Sequence, residues 1–378
     1  MKKIKILHVL SELHYSGVEM MLACSNRYMK KENFESFILA TNHKNGPAHN
    51  LLKKNHQINH ISFTGHQLLR PIIRFFSFFT LLNFLIKNKF DIINIYTEAN
   101  FFKISLCAIL SGNRKIVRTV NNVFFPSYIF RLRRKIILRC CKLLNIKFIT
   151  YSNSIFKNEL INYNLKVKLL STWYDEKKFS YIDYKKKQKL RKKYKISKNT
   201  LVLLSVANCS IIKNHNLILE TLSILPKNLN WVYFHVGNED SDRSERKLAK
   251  QLNIYKKCKF IGAKYDFRNY GNISDIYIMS SLFEGLGIAS IEAGAMGLIP
   301  LLTKVHGNND ILKKIKGTVP IELNTKSLKE ALLKIHSMNE GQKSKLSLSI
   351  HSQIKKHYSE KNIYNWIKFY RNFLKDNK

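Results

Sequence analysis

Short, nearly continuous apolar runs recur along the chain, separated by longer stretches whose apolar positions return at helical spacing. The first half shows "KIKILHVL", "ESFILAT", "INHISF", "FDIINIY", "KIVRTV" and "KFITYS". Helical patterns lie between them, over about Glu19 to Lys31, over residues 100–111 and around 128–144. Apolar strands alternating with helices predict βαβ units and a parallel sheet buried on both faces. Between Asp175 and Thr200 the rhythm stops, and "KKKQKLRKK" at 185–193 places seven bases in nine residues. That segment predicts a solvated helix opening a second half. A new alternation follows through "TLVLLSVA", a helix from about Asn214 to Leu225, "NWVYFHVG", a helix over 241–253, "CKFIGA", "DIYIMSS" and "IPLLT". The pattern predicts two Rossmann-like α/β domains, 1–170 and 171–358, facing one another across a cleft. In the last segment, 359–378, Ile363, Trp366, Ile367, Tyr370 and Phe373 fall at helical spacing. It predicts an amphipathic helix that crosses back to the first domain.

Length agrees with this division, since 378 residues exceed the roughly 250–300 at which one core stops growing. The run Ile72–Ile86 is very apolar, but it is shorter than the ~20 residues a spanning helix needs, and Arg74 interrupts it. The opening "MKKIKILHVLSEL" has a basic start, yet its short apolar run contains His8 and no small-residue cleavage site follows, so it reads as a first strand. Six cysteines show no CxxC pair and no ligand spacing with the histidines, which predicts reduced structural thiols. The formal charge of +40 favours polyanionic partners: nucleic acid, anionic lipid or phosphorylated small molecules. Charge alone does not choose among them.

Ligands of open parallel sheets bind outside the carboxyl ends of the strands, so chemistry is expected just after strands. There the stretch "SLFEGLGIASIEAGAMGLIP" at 281–300 follows "DIYIMSS". It predicts a helix from about Ile288 to Ala295, with Glu284 in the preceding loop and Glu292 on the helix. Gly285 and Gly287 allow close backbone approach, and the amides of a helix N-terminus suit a phosphate. Ionised carboxylates only accept hydrogen bonds, so the natural partners of Glu284 and Glu292 are hydroxyl groups. A diphosphate between two polyols describes a nucleotide sugar.

The seven residues between Glu284 and Glu292, and their surroundings, resemble the E-x7-E signature of glycosyltransferase family 4. The following "IPLLTKVHGNNDIL" is similar to that family's P-V-V-A-T-x-x-G-G-x-x-E-I-I segment, with Asp310 in place of Glu. Upstream, "LLSVANCSIIKNHNLILETL" resembles its V-G-R-L-x-x-x-K-N loop. In the first half, Ser16, Gly17, Val18 and Glu19 resemble its G-G-x-E loop, and "KFITYSNSIFKNEL" and "KLLSTWYDEKKF" its I-T-V-S and N-G-V-D-x-x-x-F segments. The resemblance implies a GT-B fold and a bacterial, membrane-associated enzyme of cell-surface polysaccharide biosynthesis. Such an enzyme transfers a sugar, with retention, from a nucleoside diphosphate donor to a saccharide or lipid-linked acceptor. It implies that Lys213 reaches the diphosphate, that Glu284 orients the sugar and that Glu292 binds the ribose. Gly17 and the backbone at Gly285, Leu286 and Gly287 are expected to face the donor, and no cofactor or essential metal is implied.

Elsewhere too the chain departs from the family pattern. Ser16 replaces a glycine, and Asn208 stands where an arginine usually completes the phosphate clamp. Asn121 and Asn122 stand where a histidine usually positions the sugar. Asparagine does not titrate near neutrality, so the leaving phosphate is expected to take the acceptor proton. The Asp-x-Asp at 240–242, a metal motif in another transferase fold, sits beside Arg243 and Arg246 and reads as a solvated loop with local ion pairs. The basic and apolar stretches "LLRPIIRFFSFFTLLNFLI" and "YIFRLRRKIILRCCKLL" fit either packing on the first sheet or contact with an anionic membrane. A cytoplasmic location, at the inner membrane face, follows from such acceptors. Two other readings stay open: a nucleotide-sugar epimerase on the same scaffold, and a polyanion-binding protein. No specific nucleic-acid module is present in the sequence.

Overall fold

The computed structural model describes residues 2–42, 46–63, 70–98, 100–122, 128–264 and 266–376. The chain folds into two compact units. One is Met1–Trp173 with Glu360–Lys378, and the other is Tyr174–Ser359.

The first unit is built on seven strands: β1 (Ile4–Leu10), β2 (Phe34–Ala40), β3 (Gln57–His60), β4 (Ile92–Ile95), β5 (Ile116–Thr119), β6 (Lys147–Thr150) and β7 (Lys168–Leu169). They form one sheet in the order β3-β2-β1-β4-β5-β6-β7, and every pairing is parallel. The central strands carry the longest apolar runs, and Ile92, Ile93 and Ile95 are wholly buried. The last helix, Asn362–Lys375, belongs to this unit. Its apolar stripe is buried: Trp366 meets Trp173 edge to face and donates to Ser171 O, and Tyr370 OH accepts from Asn94 Nδ2 at 2.8 Å. Just before it, the Glu360 carboxylate takes hydrogen bonds from Arg27 and Tyr28.

Two helices of this unit leave much apolar surface exposed. Phe75, Phe76, Phe79 and Ile86 project from Arg70–Lys87, and Ile129, Phe130, Leu132, Ile136 and Leu143 from Tyr128–Leu143. Each also buries one stripe, through Leu81 and Leu85 in the first and Leu138 and Cys141 in the second. Leu68 and Leu69, which open the first of these sequence stretches, lie outside the described residues. No described helix is long and apolar enough to cross a membrane.

The second unit contains β8 (Leu201–Val206), β9 (Trp231–Val236), β10 (Cys258–Phe260), β11 (Ile276–Met279), β12 (Ile299–Thr303) and β13 (Val319–Ile321). Their order is β10-β9-β8-β11-β12-β13, again parallel throughout. Both sheets therefore reverse direction of strand addition at one place, between β1 and β4 and between β8 and β11. Such a switch point is where the loops at the carboxyl ends diverge and leave room for a ligand.

The basic helix Tyr184–Lys193 exposes Lys185, Lys186, Lys189, Lys192 and Lys193, as its composition predicts, but turns two bases inward. Arg191 is buried, donating to Ile273 O at 2.9 Å and to the Asp275 carboxylate at 2.6 Å. Lys187 Nζ donates to Ser274 O at 2.6 Å. Burial opposes the charge on Asp275, but Lys187 and Arg191 outweigh it and hold its carboxyl below the ordinary range. The helix is thus fastened to the strand-entry loop of β11 by charge pairs that its own sequence cannot announce.

Candidate active site

The switch point of the second unit is bounded by the loops after β8 and β11, strands that lie side by side. After β8 the chain passes closely over Gly237, where an added Cβ would fall 1.8 Å from Ala207 O. Asn208 is exposed here, and its Oδ1 accepts from the Asn238 N–H at 2.9 Å. A 3-10 turn, Ile211–Lys213, follows, and Asn214 in the left-handed region (φ 50°) starts the helix His215–Ser223. Asparagine tolerates that conformation better than most residues.

The loop after β11 is stitched to this turn. Leu282 N donates to Ile212 O at 2.7 Å, and Ser280 Oγ donates to Lys213 O at 2.9 Å. The Lys213 ammonium is hydrogen-bonded to Glu284 Oε1, which also accepts from Ser281 Oγ at 3.2 Å. With side chains 28% and 10% exposed, respectively, the pair is largely shielded yet still open on the lysine side. Lys213 and Glu284, 71 positions apart, are thus brought into direct contact.

Beyond Glu284 the chain turns at Gly285, Leu286 and Gly287 into the helix Ile288–Ala295. Gly287 caps that helix with φ 68° and ψ 57°, a conformation that disfavours residues with a Cβ. Leu286 is buried, so it has only backbone to offer a ligand. Gly307 packs directly on the turn: its N–H donates to Glu284 O at 3.2 Å, and a Cβ there would sit 2.4 Å from Gly285 C and O. The first-turn amides of any helix lack intrahelical acceptors, which makes this end a site for an anion.

Glu292 lies one helical turn further in and is buried. Burial drives its carboxyl up to about 8; Lys178 opposes that rise and Asp175 adds to it. Ser281, Gly307 and Lys178 are parts of this arrangement that the motif alone does not single out. Their only sequence signal is proximity to strand ends and to the Asp175 segment.

The remaining sequence candidates belong to the first unit. Gly17 is the first residue of the helix Gly17–Lys31 after β1, capped by Ser16, whose hydroxyl bonds to Glu19. Glu19 is buried and held up to about 7 by desolvation, with the Ser16 hydrogen bond opposing the rise. Beyond β5, Asn121 Nδ2 donates to Tyr96 O at 3.1 Å, and its buried Oδ1 has no hydrogen-bond partner among the described residues. Asn122 is exposed. In the Asp240 loop, Arg246 pairs with Glu239, and Asp240 accepts from Ser244, consistent with a local ion-pair loop.

Residues 186–352 match the family described as Glycosyl transferases group 1. The chain is a glycosyltransferase. Over its length the glycosyltransferase is similar to the capsular polysaccharide biosynthesis glycosyltransferase CapH of Staphylococcus aureus, with 24% identity over 347 residues, 88% of this chain and 91% of that one. It is also similar to the UDP-Gal:alpha-D-GlcNAc-diphosphoundecaprenol alpha-1,3-galactosyltransferase of Escherichia coli, with 25% identity over 338 residues and 85% of each chain. Among solved structures, a glycosyltransferase of Rickettsia africae ESF-5 superposes with TM-score 0.79 at 21% identity, covering 100% of both chains. Anabaena Alr3699/HepE, solved in complex with UDP and glucose, gives TM-score 0.79 at 14% identity, covering 98% of this chain and 99% of that one. These likenesses give the two parallel-sheet units of the glycosyltransferase the GT-B fold.

Proposed function

We propose that this glycosyltransferase moves a sugar from a nucleoside diphosphate donor to a saccharide or lipid-linked saccharide acceptor, with retention of configuration, in building a cell-surface polysaccharide. The observation that carries the proposal is the Lys213–Glu284 contact beside the glycine turn. It places one cation, one hydroxyl acceptor and a helix N-terminus at a switch point. The diphosphate lies against Lys213 and the amides of Gly285–Gly287, Glu284 accepts hydroxyls of the transferred sugar, and Glu292 accepts those of the ribose. Asn208 completes the donor contacts within this unit. As the bond from the anomeric carbon to the diphosphate oxygen breaks, negative charge grows on the phosphate, where Lys213 and fixed amides stabilise it. The acceptor hydroxyl attacks the same face and passes its proton to the departing phosphate oxygen. The substrates of the Escherichia coli relative, a UDP-sugar and a diphosphoundecaprenol-linked saccharide, support the donor and acceptor classes.

A screen of nucleotide sugars by thermal shift, followed by product NMR, tests this. A ligand that binds only the folded state raises its melting temperature. The expected product keeps the donor's anomeric configuration. An inverted product would overturn the retention claim, and an altered sugar formed from donor alone would point to the epimerase.

Glu292 makes the donor step pH-dependent. Ribose hydroxyls need an ionised acceptor, whereas the unliganded carboxyl holds its proton up to about pH 8. Binding near neutrality therefore releases a proton, and affinity rises with pH until it levels off near 8. The folded value lies above the unfolded one, so the carboxyl's contribution to stability is complete below about 4.5 and is lost as pH climbs through 8. Glu292→Gln should thus bind nucleotide more weakly, release no proton, and melt higher than the wild type at pH 9. Calorimetry in buffers of different ionisation enthalpy reads the first two effects, and an unchanged proton count would refute the assignment.

The exposed apolar side chains of Arg70–Lys87 and the exposed apolar and basic ones of Tyr128–Leu143 support peripheral contact with an anionic membrane, consistent with a cytoplasmic enzyme acting at its inner face. Sedimentation with phosphatidylglycerol vesicles should be strong at low salt and weaken in Phe130→Ser/Ile136→Ser. Equal sedimentation with zwitterionic vesicles would remove the electrostatic part of this reading.

A further inference from the structure

A second cluster in this unit is built from residue types that the transfer chemistry does not use. Cys209, in the loop after β8, His215, the first residue of the next helix, His235 near the end of β9, and Glu245, in the helix Ser244–Gln251, converge on one point. One side-chain donor atom from each lies within 4.8 Å of all the others. His215 Nδ1 is 2.8 Å from Glu245 Oε1, and Cys209 Sγ is 2.8 Å from Glu245 Oε2. His235 Nε2 lies 3.9 Å from Cys209 Sγ and 3.8 Å from Glu245 Oε2. Tetrahedral zinc bonds of about 2.0–2.3 Å imply ligand separations of about 3.3–3.8 Å, the middle of this range.

The electrostatics also ask for a cation. Glu245 is buried, its only ion-pair partners among the described residues are the two histidines, and the neighbouring Arg246 is engaged by Glu239. A buried carboxylate needs a compensating charge. His235 is wholly buried.

We infer that Cys209, His215, His235 and Glu245 form a structural site for one zinc-type divalent cation. The donor set of one thiolate, two imidazoles and one carboxylate suits zinc, and four protein ligands close the coordination sphere, leaving no position for substrate. Binding exchanges the Cys209 thiol proton to solvent and moves the His235 ring proton from Nε2, which now lies 3.0 Å from Ala207 O, to Nδ1. Cys209 is half-exposed while the other three are buried, which gives the ion an approach. Because Cys209 and His215 bracket Lys213, the ion would pin both ends of the turn that presents that lysine. The six cysteines and the histidines carry no metal-ligand spacing in the sequence, and the fold alone assembles this set.

The test uses the full chain, stripped with a chelator and then titrated with Zn2+ or Co2+. One equivalent of zinc is expected to bind, to raise the melting temperature and to protect Cys209 from alkylation. Cys140, the other half-exposed cysteine, serves as the internal control and should react unchanged. Cobalt should give a thiolate charge-transfer band that Cys209→Ser abolishes and Lys213→Ala leaves intact. His235→Asn should lower metal affinity at least tenfold. Absence of stoichiometric binding, or binding and alkylation indifferent to Cys209→Ser and His235→Asn, would overturn the inference and leave a hydrogen-bonded cluster only.

Discussion

Lys213→Ala is expected to lower kcat by about 10²–10³-fold, the scale of removing one preorganised donor from developing negative charge, or about 2.7–4 kcal/mol. Without ligand this ammonium is held by Glu284, so its charge is already oriented and the donor diphosphate meets it with little reorganisation. Removing it also strands a carboxylate whose side chain is only 10% exposed. An unpaired, shielded charge destabilises, so part of any loss in the single variant comes from the fold. The double variant Lys213→Ala/Glu284→Ala separates the two effects: it should recover the melting temperature and not the activity. Lys213→Arg should restore part of kcat, because charge is kept while the point geometry of the ammonium is not. Steady-state kinetics that place Lys213→Ala within threefold of the wild type would remove this residue from the transition state.

Most of the architecture was legible because parallel strands buried on both faces read as uninterrupted apolar runs. The helix expected from about Ile288 to Ala295 spans those residues, since a glycine turn at its start and Gly297 after its end bracket an apolar run. The C-terminal stripe was equally plain, as Ile363, Trp366, Ile367, Tyr370 and Phe373 are all buried. Local charge announced the outer face of one helix but not its anchor. Seven bases in nine residues suggested a solvated helix, and five of them are exposed, but Arg191 finds its acid 84 positions away at Asp275, and no window of sequence contains both. The Lys213–Glu284 contact was hidden for the same reason, although each residue was singled out by its own motif. Where Asn208 and Asn121 replace an expected arginine and histidine, both have acquired backbone partners, Asn238 N and Tyr96 O. Each asparagine is therefore seated by the fold, and neither supplies the charge of the residue it replaces.

Glu284→Ala should reduce transfer by about 10³-fold or more while leaving the melting temperature close to that of the wild type. Loss of a sugar-orienting contact alone costs on the order of 10²-fold when the reacting atoms shift by about 1 Å. Loss of the partner that holds Lys213 in place weakens the charge stabilisation as well. The two ligands of the site should then respond in opposite directions. A free nucleoside diphosphate has no sugar for Glu284 to grip and suffers repulsion from its carboxylate, so the variant should bind it more tightly, with Lys213 now uncommitted. The intact nucleotide sugar loses hydroxyl contacts that the wild type makes, so its advantage over the diphosphate should shrink or vanish. A purely structural role for Glu284 would weaken both ligands together. Paired calorimetric titrations with the diphosphate and its sugar therefore distinguish the two roles. Equal loss for both ligands, or transfer within tenfold of the wild type, would show that Glu284 serves the loop rather than the sugar.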